Sequence, residues 1–131
     1  MAPEITVLAL AGVLLVVHVF VAVHFKTKQY GKDWNMGARD ADMPPLNDLA
    51  ARLERARDNF IETLPLAIIA LFGVVLAEKA NEWTALAGWV WLGARAIYLP
   101  LYWAGVPKVR TIVWGAGLVA LLYVLGVLLL G

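Results

Sequence analysis

The chain has 131 residues, of which 62% are hydrophobic and 16% are charged, and its formal net charge is +1. Soluble domains are only about 45–50% apolar, so this composition excludes an ordinary soluble domain and indicates an integral membrane protein. The sequence has no cysteine, which excludes disulfides, thiolate metal sites and a protein thiol nucleophile. Any sulfur chemistry must therefore come from a ligand.

Apolar runs of bilayer-spanning length, about 17–25 residues, occur four times. They predict helices at about residues 5–25, 48–77, 83–104 and 110–130. The predicted fold is an all-α, four-helix membrane bundle that uses residues 1–131 as one domain. Lysine and arginine are concentrated in the first and third connections, whereas only Lys79 lies in the second. By the positive-inside rule, loops 1 and 3 are cytoplasmic and both termini lie outside.

Helix 1 carries two histidines, His18 and His24, about 120° apart around the helix. Without a Cys, Asp or Glu companion nearby, they do not predict a metal site. We expect His24 to be interfacial and His18 to be packed or hydrogen-bonded. The loop that follows, from Lys26 to about Asn47, is rich in Gly, Pro and Asp. It is long for a connector, so it could cap a site beside helix 2.

A polar stripe runs along the start of helix 2. Within an arc of about 80° on one helix face lie Arg52, Arg55, Asn59 and Glu62. From Leu66 onward the helix is almost entirely apolar, so the stripe passes from the membrane surface into the hydrocarbon. Ionisable groups at that depth are costly and usually functional. The stripe therefore predicts one wall of a site.

A second polar stripe, formed by Arg95, Tyr98 and Tyr102, occupies an arc of about 60° on helix 3. An unpaired arginine inside the bilayer costs at least ~2.5–3.5 kcal/mol, and Glu62 is the expected partner of Arg95 at a similar depth. Such a pair could instead serve only to fix helix register. The turn after helix 3 places Arg110 close to Tyr102, where a headgroup contact is the alternative reading.

The spacing Arg-x-x-Arg-Ala-x-x-Asn-x-x-Glu-x-x-Pro, from Arg52 to Pro65, resembles the signature of the MAPEG family, membrane-associated proteins in eicosanoid and glutathione metabolism. The segment from Arg95 to Arg110 is similar to the family's second motif. This resemblance covers nearly the whole chain. It implies a homotrimer with glutathione bound between adjacent subunits near the cytoplasmic side, and a bacterial inner-membrane location.

The resemblance also implies roles for individual residues. The residues implied to bind glutathione are Arg52, Arg55, Asn59, Glu62, Arg95 and Tyr98. Arg110 and Tyr102 are the implied catalytic residues beside the thiol. Guanidinium groups bind carboxylates bidentately, and a nearby cation or tyrosine hydroxyl favours the thiolate. The expected activity is that of a glutathione transferase or peroxidase acting on lipophilic electrophiles or hydroperoxides that arrive through the lipid bilayer.

Two other function classes stay open. Some family members carry arginine where this chain has Asp58 and tyrosine near where it has Trp114, which leaves room for a non-catalytic glutathione-binding or scaffold protein. A small four-helix transporter would also use a membrane-embedded glutamate, although transport sites usually lie near the midplane. Neither a metal nor a nucleic acid is an expected partner.

Overall fold

The computed structural model describes all residues from Met1 to Gly131 and consists of helices without any strand. The helices are α1 (Pro3–Tyr30), α2 (Lys32–Met36), α3 (Asp48–Leu76), α4 (Glu82–Ala104) and α5 (Pro107–Leu130). The four long helices pack as one bundle, and α4 and α5 form its most extensive helix pair. This architecture confirms the predicted all-α class.

Three of the long helices, α1, α3 and α5, are long and apolar enough to cross a membrane. The chain is therefore an integral membrane protein. Helix α4 has 23 residues, about 34 Å at the helical rise, but its arginine, tryptophans and tyrosines make it less apolar. That α4 crosses the bilayer is a prediction from the sequence. So is the assignment of each loop to one side of the membrane.

Two boundaries differ most from the predicted ones: the end of α1, and the start of α5 at Pro107 instead of residue 110. Helix α1 runs to Tyr30, five residues beyond its apolar run, because no helix breaker occurs before Gly31, whose φ is +98°. That positive φ, which glycine adopts without penalty, lets the chain turn back into the short α2 inside the predicted loop. Asn47 caps α3 as expected, since its side-chain oxygen accepts a hydrogen bond of 2.9 Å from the Ala50 amide.

Small residues bring the helices close together. A Cβ atom at Gly117 would lie 3.3 Å from the Ala94 Cβ, and one at Gly88 would lie 3.2 Å from the Leu71 side chain. Close backbone approach of this kind is the usual basis of helix association in lipid, where burial in a neighbouring helix gains little hydrophobic free energy. The tight α4–α5 pair fixes the turn between these helices, which forms part of the site.

The two ends of the bundle differ in character. At the end that carries both chain termini, the Thr84 hydroxyl donates a 2.7 Å hydrogen bond to the buried carboxylate of Glu4, joining α4 to α1. Lys79 donates to the Leu128 carbonyl near the end of α5, where a cation also complements the helix dipole. The opposite end carries the polar stripes.

Candidate functional site

A cleft of about 280 Å³ opens where the start of α3 meets the α4–α5 turn. Its walls are Arg52, Arg55, Tyr102, Gly105, Pro107 and Arg110. Four of these residues are predicted site residues, drawn from three different helices. The cleft contains three guanidinium groups and no acidic side chain. It is therefore suited to an anionic ligand.

Tyr102 lies at the centre of these cations. Its hydroxyl accepts a 3.2 Å hydrogen bond from Arg55 Nε, and the Arg110 guanidinium carbon lies 4.4 Å from the ring centroid. A hydroxyl can donate one hydrogen bond while it accepts others. The Tyr102 proton thus remains available to a ligand that enters the cleft.

The α4–α5 turn holds one wall of the cleft. Gly105 ends α4 in the left-handed conformation with φ +73°. Its amide bonds to the Tyr102 carbonyl and the Val106 amide to the Leu101 carbonyl, the pattern of a Schellman motif. Arg52 reaches across this turn, donating a 3.3 Å hydrogen bond to the Trp103 carbonyl. Arg110 then falls in the first turn of α5, as the sequence predicts.

A buried polar layer continues the site below the cleft. The Arg95 side chain, only 1% exposed, donates a 2.8 Å hydrogen bond from Nη1 to Asn59 Oδ1. Its guanidinium carbon lies 4.3 Å from the Tyr98 ring centroid. The Tyr98 ring in turn makes an edge contact with Tyr102, with centroids 5.5 Å apart. Contacts therefore run without a break from Asn59 to the cleft.

The predicted pairing of Arg95 with Glu62 is wrong within one subunit. The two ion pairs of the structure are Lys26–Glu54 at 3.0 Å and Arg57–Asp58 at 2.9 Å. Asn59 occupies the position facing Arg95, whereas Glu62 lies about 60° further around α3 and is exposed. Glu62 is thus the one predicted glutathione-binding residue that neither lines the cleft nor makes a hydrogen bond, ion pair or cation–π contact with another site residue.

His18 is buried and packed, as predicted, but its place in the buried layer beside Arg95 was not predicted from the sequence. Its ring stacks on Phe60 at 4.9 Å, and Arg95 lies over the same Phe60 ring at 5.3 Å. Both His18 ring nitrogens and the Nε and Nη2 atoms of Arg95 are buried without a hydrogen-bond partner. The available signal was a histidine within an apolar stretch of α1, but periodicity alone does not say which neighbour it meets.

Trp114 also lies beside this layer. It lines a small cavity of about 10 Å³ together with Thr63, Trp91 and Arg95. A cavity of this size is at the lower limit for one water molecule. The position where the chain departs from some MAPEG proteins is therefore close to the buried guanidinium.

Comparisons with curated proteins and with solved structures found no match. A model of the MAPEG family matches residues 5–130, a range that contains nearly all of the four long helices and both polar stripes. The chain therefore belongs to the MAPEG family.

Proposed function

We propose that this protein is a membrane-bound glutathione transferase or peroxidase that activates the glutathione thiol for attack on lipophilic electrophiles or hydroperoxides. Family membership supports a role in glutathione or eicosanoid metabolism at a membrane. The observation that supports the transferase or peroxidase activity itself is the cleft without acidic side chains, in which Tyr102 lies among Arg52, Arg55 and Arg110.

The charges of the cleft suit the ends of glutathione. Glutathione carries two carboxylates and one ammonium, and guanidinium groups recognise carboxylates by paired hydrogen bonds. Arg52 and Arg55 are the carboxylate ligands in this proposal. Asn59, Arg95 and Tyr98 complete and support the inner wall of the pocket.

Glu62 supplies the negative charge for the ammonium in this proposal. Its side chain is exposed on the single subunit, although an uncompensated carboxylate at a membrane-facing position is costly. A homotrimer resolves this conflict, because a neighbouring copy would cover Glu62 and the pocket would form between subunits. The proposal therefore includes the homotrimer that the family resemblance implies.

Arg110 and Tyr102 act on the thiol. A free thiol has a pKa of about 8.5 and is mostly protonated at neutral pH. The Arg110 cation and the Tyr102 hydroxyl stabilise the thiolate, and the displaced proton goes to solvent. The sulfur then bonds to the electrophilic carbon while the leaving group departs with its electron pair.

Hydroperoxides react at the same thiolate. The sulfur attacks the distal oxygen, the O–O bond breaks and the alcohol leaves, and a second glutathione converts the sulfenic product to disulfide and water. Lipophilic substrates of both kinds reach the site laterally from the bilayer. We place the protein in a bacterial inner membrane, with loops 1 and 3 on the cytoplasmic side, where glutathione is available.

The first test is calorimetric titration of glutathione into the detergent-purified protein. We expect saturable binding in the wild type. Arg55→Ala should weaken it by roughly 10- to 100-fold, the effect of losing about 1.5–3 kcal/mol of charged hydrogen bonding. Glu62→Gln should also weaken binding. Lys108→Ala is the matched control, because Lys108 is an exposed cation next to the turn that does not line the cleft.

Two further outcomes separate the competing functions. Binding without turnover of chlorodinitrobenzene or cumene hydroperoxide would favour the non-catalytic glutathione-binding or scaffold protein. Movement of glutathione across sealed vesicles that contain the protein would favour the transporter. No binding to a well-folded wild type would refute the glutathione assignment altogether.

A further inference from the structure

The end of α1 is joined to the chain just before α3 by a single carboxamide. Gln29 Nε2 donates a 3.0 Å hydrogen bond to the Pro45 carbonyl, and Gln29 Oε1 accepts a 2.7 Å hydrogen bond from the Asn47 amide. These two backbone groups flank Leu46, so the side chain pairs with the segment as a neighbouring strand would. The two ends of the carboxamide cannot be exchanged, because an exchange would place its NH₂ group against an N–H and its oxygen against a carbonyl.

The segment that Gln29 holds is stiff. Pro44 and Pro45 fix φ at two successive positions. The hydroxyl of Tyr30, the residue after Gln29, donates a hydrogen bond to the Pro44 carbonyl, so α1 ends with two side chains bound to consecutive carbonyls. A displacement at Pro45 is therefore passed along the backbone to Asn47 and is not absorbed between them.

Asn47 connects this segment to α3 as the helix N-cap. Its carbonyl accepts a 2.9 Å hydrogen bond from the Ala51 amide, and its side chain accepts one from the Ala50 amide. Arg52 lies about 7.5 Å further along the helix axis. Gln29, Asn47 and Arg52 also line one cavity of about 570 Å³ between α1 and α3. The Gln29 carboxamide is thus linked through one cap and one helical turn to the first arginine of the cleft.

The arginines of α3 reach their partners over long hydrogen bonds. Arg52 Nε lies 3.3 Å from the Trp103 carbonyl oxygen, and Arg55 Nε lies 3.2 Å from the Tyr102 hydroxyl. Both distances are at the long end of the usual N–H···O range, about 2.7–3.2 Å. Both bonds would be lost if the start of α3 moved away from the α4–α5 turn by about 0.5 Å. The cleft therefore needs the start of α3 to be held in place.

We propose that Gln29 is a positioning residue for the cleft of its own subunit, holding the start of α3 where Arg52 and Arg55 face a ligand. This inference rests on the proposed function, since glutathione is the ligand whose carboxylates these arginines bind. All the hydrogen bonds involved lie within one chain, so the role is the same whether or not a neighbouring copy covers the end of α1. Gln29 does not line the cleft and acts only through α3.

Gln29→Met removes both hydrogen bonds with little change in side-chain length, and glutathione calorimetry compares this variant with the wild type. We expect the Kd to rise roughly three- to tenfold, the effect of losing exposed hydrogen bonds. The turnover rate of a model electrophile at saturating glutathione should change by less than about twofold, because Tyr102 and Arg110 lie on α4 and α5. Gln29→Glu keeps the acceptor for the Asn47 amide but loses the donor to Pro45, so it should also raise the Kd.

Hydrogen exchange of the ligand-free protein in detergent measures the anchoring of α3 without glutathione. Gln29→Met should speed the exchange of the amides from residue 47 to residue 53, since the first turns of α3 then open more easily. The matched control is Asn35→Ala. It removes a 2.7 Å hydrogen bond between α2 and Thr27 of α1 without touching α3, and it should change neither the exchange of these amides nor the Kd.

A double-variant cycle separates positioning from a general loss of stability. In a protein that already carries Arg52→Ala, Gln29→Met should raise the Kd by clearly less than it does in the wild type. Full additivity of the two substitutions would overturn the proposal, and so would an unchanged Kd in Gln29→Met.

The exchange measurement keeps this inference distinct from the proposed function. If the wild type binds no glutathione but Gln29→Met speeds exchange at the start of α3 alone, the proposed function fails and the positioning role of Gln29 stands. Unchanged exchange in Gln29→Met would overturn the role of Gln29 even if glutathione binds to the wild type.

Discussion

Replacing Asn59 by alanine removes the one hydrogen-bonding partner of the buried Arg95 guanidinium. Arg95 is 1% exposed, its Nη1 donates to Asn59 Oδ1 at 2.8 Å, and its Nε and Nη2 atoms already lack partners. The variant leaves the whole charge dependent on cation–π contacts with Tyr98 and Phe60. Stability should therefore fall.

The expected loss can be bounded from two sides. Breaking the pairing of a buried charge costs about 3–5 kcal/mol in soluble proteins, whereas hydrogen bonds between membrane helices average about 0.6 kcal/mol with a maximum near 1.7. Alanine also has a higher helix propensity than asparagine, which offsets up to about 0.7 kcal/mol. Because the acceptor serves a full charge, we expect a net loss of about 2 kcal/mol for Asn59→Ala.

Reversible unfolding of the detergent-solubilised protein by SDS, without glutathione, measures this loss. Arg95→Met removes the buried charge itself and should cost less than Asn59→Ala. In the double variant the alanine substitution should then cost almost nothing, which gives a coupling energy of about 2 kcal/mol between the two positions. Glu62→Gln should leave stability unchanged within about 0.5 kcal/mol. A large cost for Glu62→Gln together with a small one for Asn59→Ala would refute the reasoning, since Glu62 would then be the partner of Arg95.

Three further predictions concern the cleft, the turn and the far end of the bundle. Tyr102→Phe loses the hydroxyl proposed to donate to the thiol, so kcat/KM for a model electrophile should fall by about 10²-fold or more. Calorimetry should still detect glutathione binding to this variant. An unchanged kcat/KM would show that Tyr102 takes no part in the reaction. Gly105→Ala should lower the free energy of unfolding in the SDS assay by about 1–2 kcal/mol, because the φ of Gly105 is +73°. The control is Gly115→Ala, at a helical position with open space around it, which should be neutral or stabilising. Equal effects of the two substitutions would contradict the left-handed turn. Thr84→Val removes the donor to the buried Glu4 carboxylate and should lower the free energy of unfolding by about 1–3 kcal/mol. In a protein that already carries Glu4→Leu, the same assay should find a much smaller loss.

Much of the cleft follows from local sequence. Tyr102 and Arg110 flank a turn of a few residues, and Gly105 and Pro107 fix how that turn closes. Short-range geometry therefore suffices to predict that the ring and the guanidinium meet, and the structure places them 4.4 Å apart. Asn47 as the cap of α3 was predictable for the same reason, because capping depends on residues within one turn.

Contacts between helices required the tertiary structure. The helical period places Asn59 and Glu62 on one face but leaves open which of them meets Arg95, because a rotation of about 60° exchanges the two. The small residues between the helices, such as Gly117 against Ala94, set the rotation and depth of each helix. The same packing brings His18 onto Phe60, a contact that no sequence spacing encodes.

The sequence by itself determined the membrane class, the four helices and the two polar stripes, because burial in lipid demands long apolar runs and makes every charged residue within them conspicuous. The tertiary structure decided the partner of Arg95, the place of His18 in the buried layer and the hydrogen bonds by which Gln29 joins α1 to the start of α3. These features depend on how rigid helices pack side by side, and packing is set by side-chain shape at distant positions of the chain.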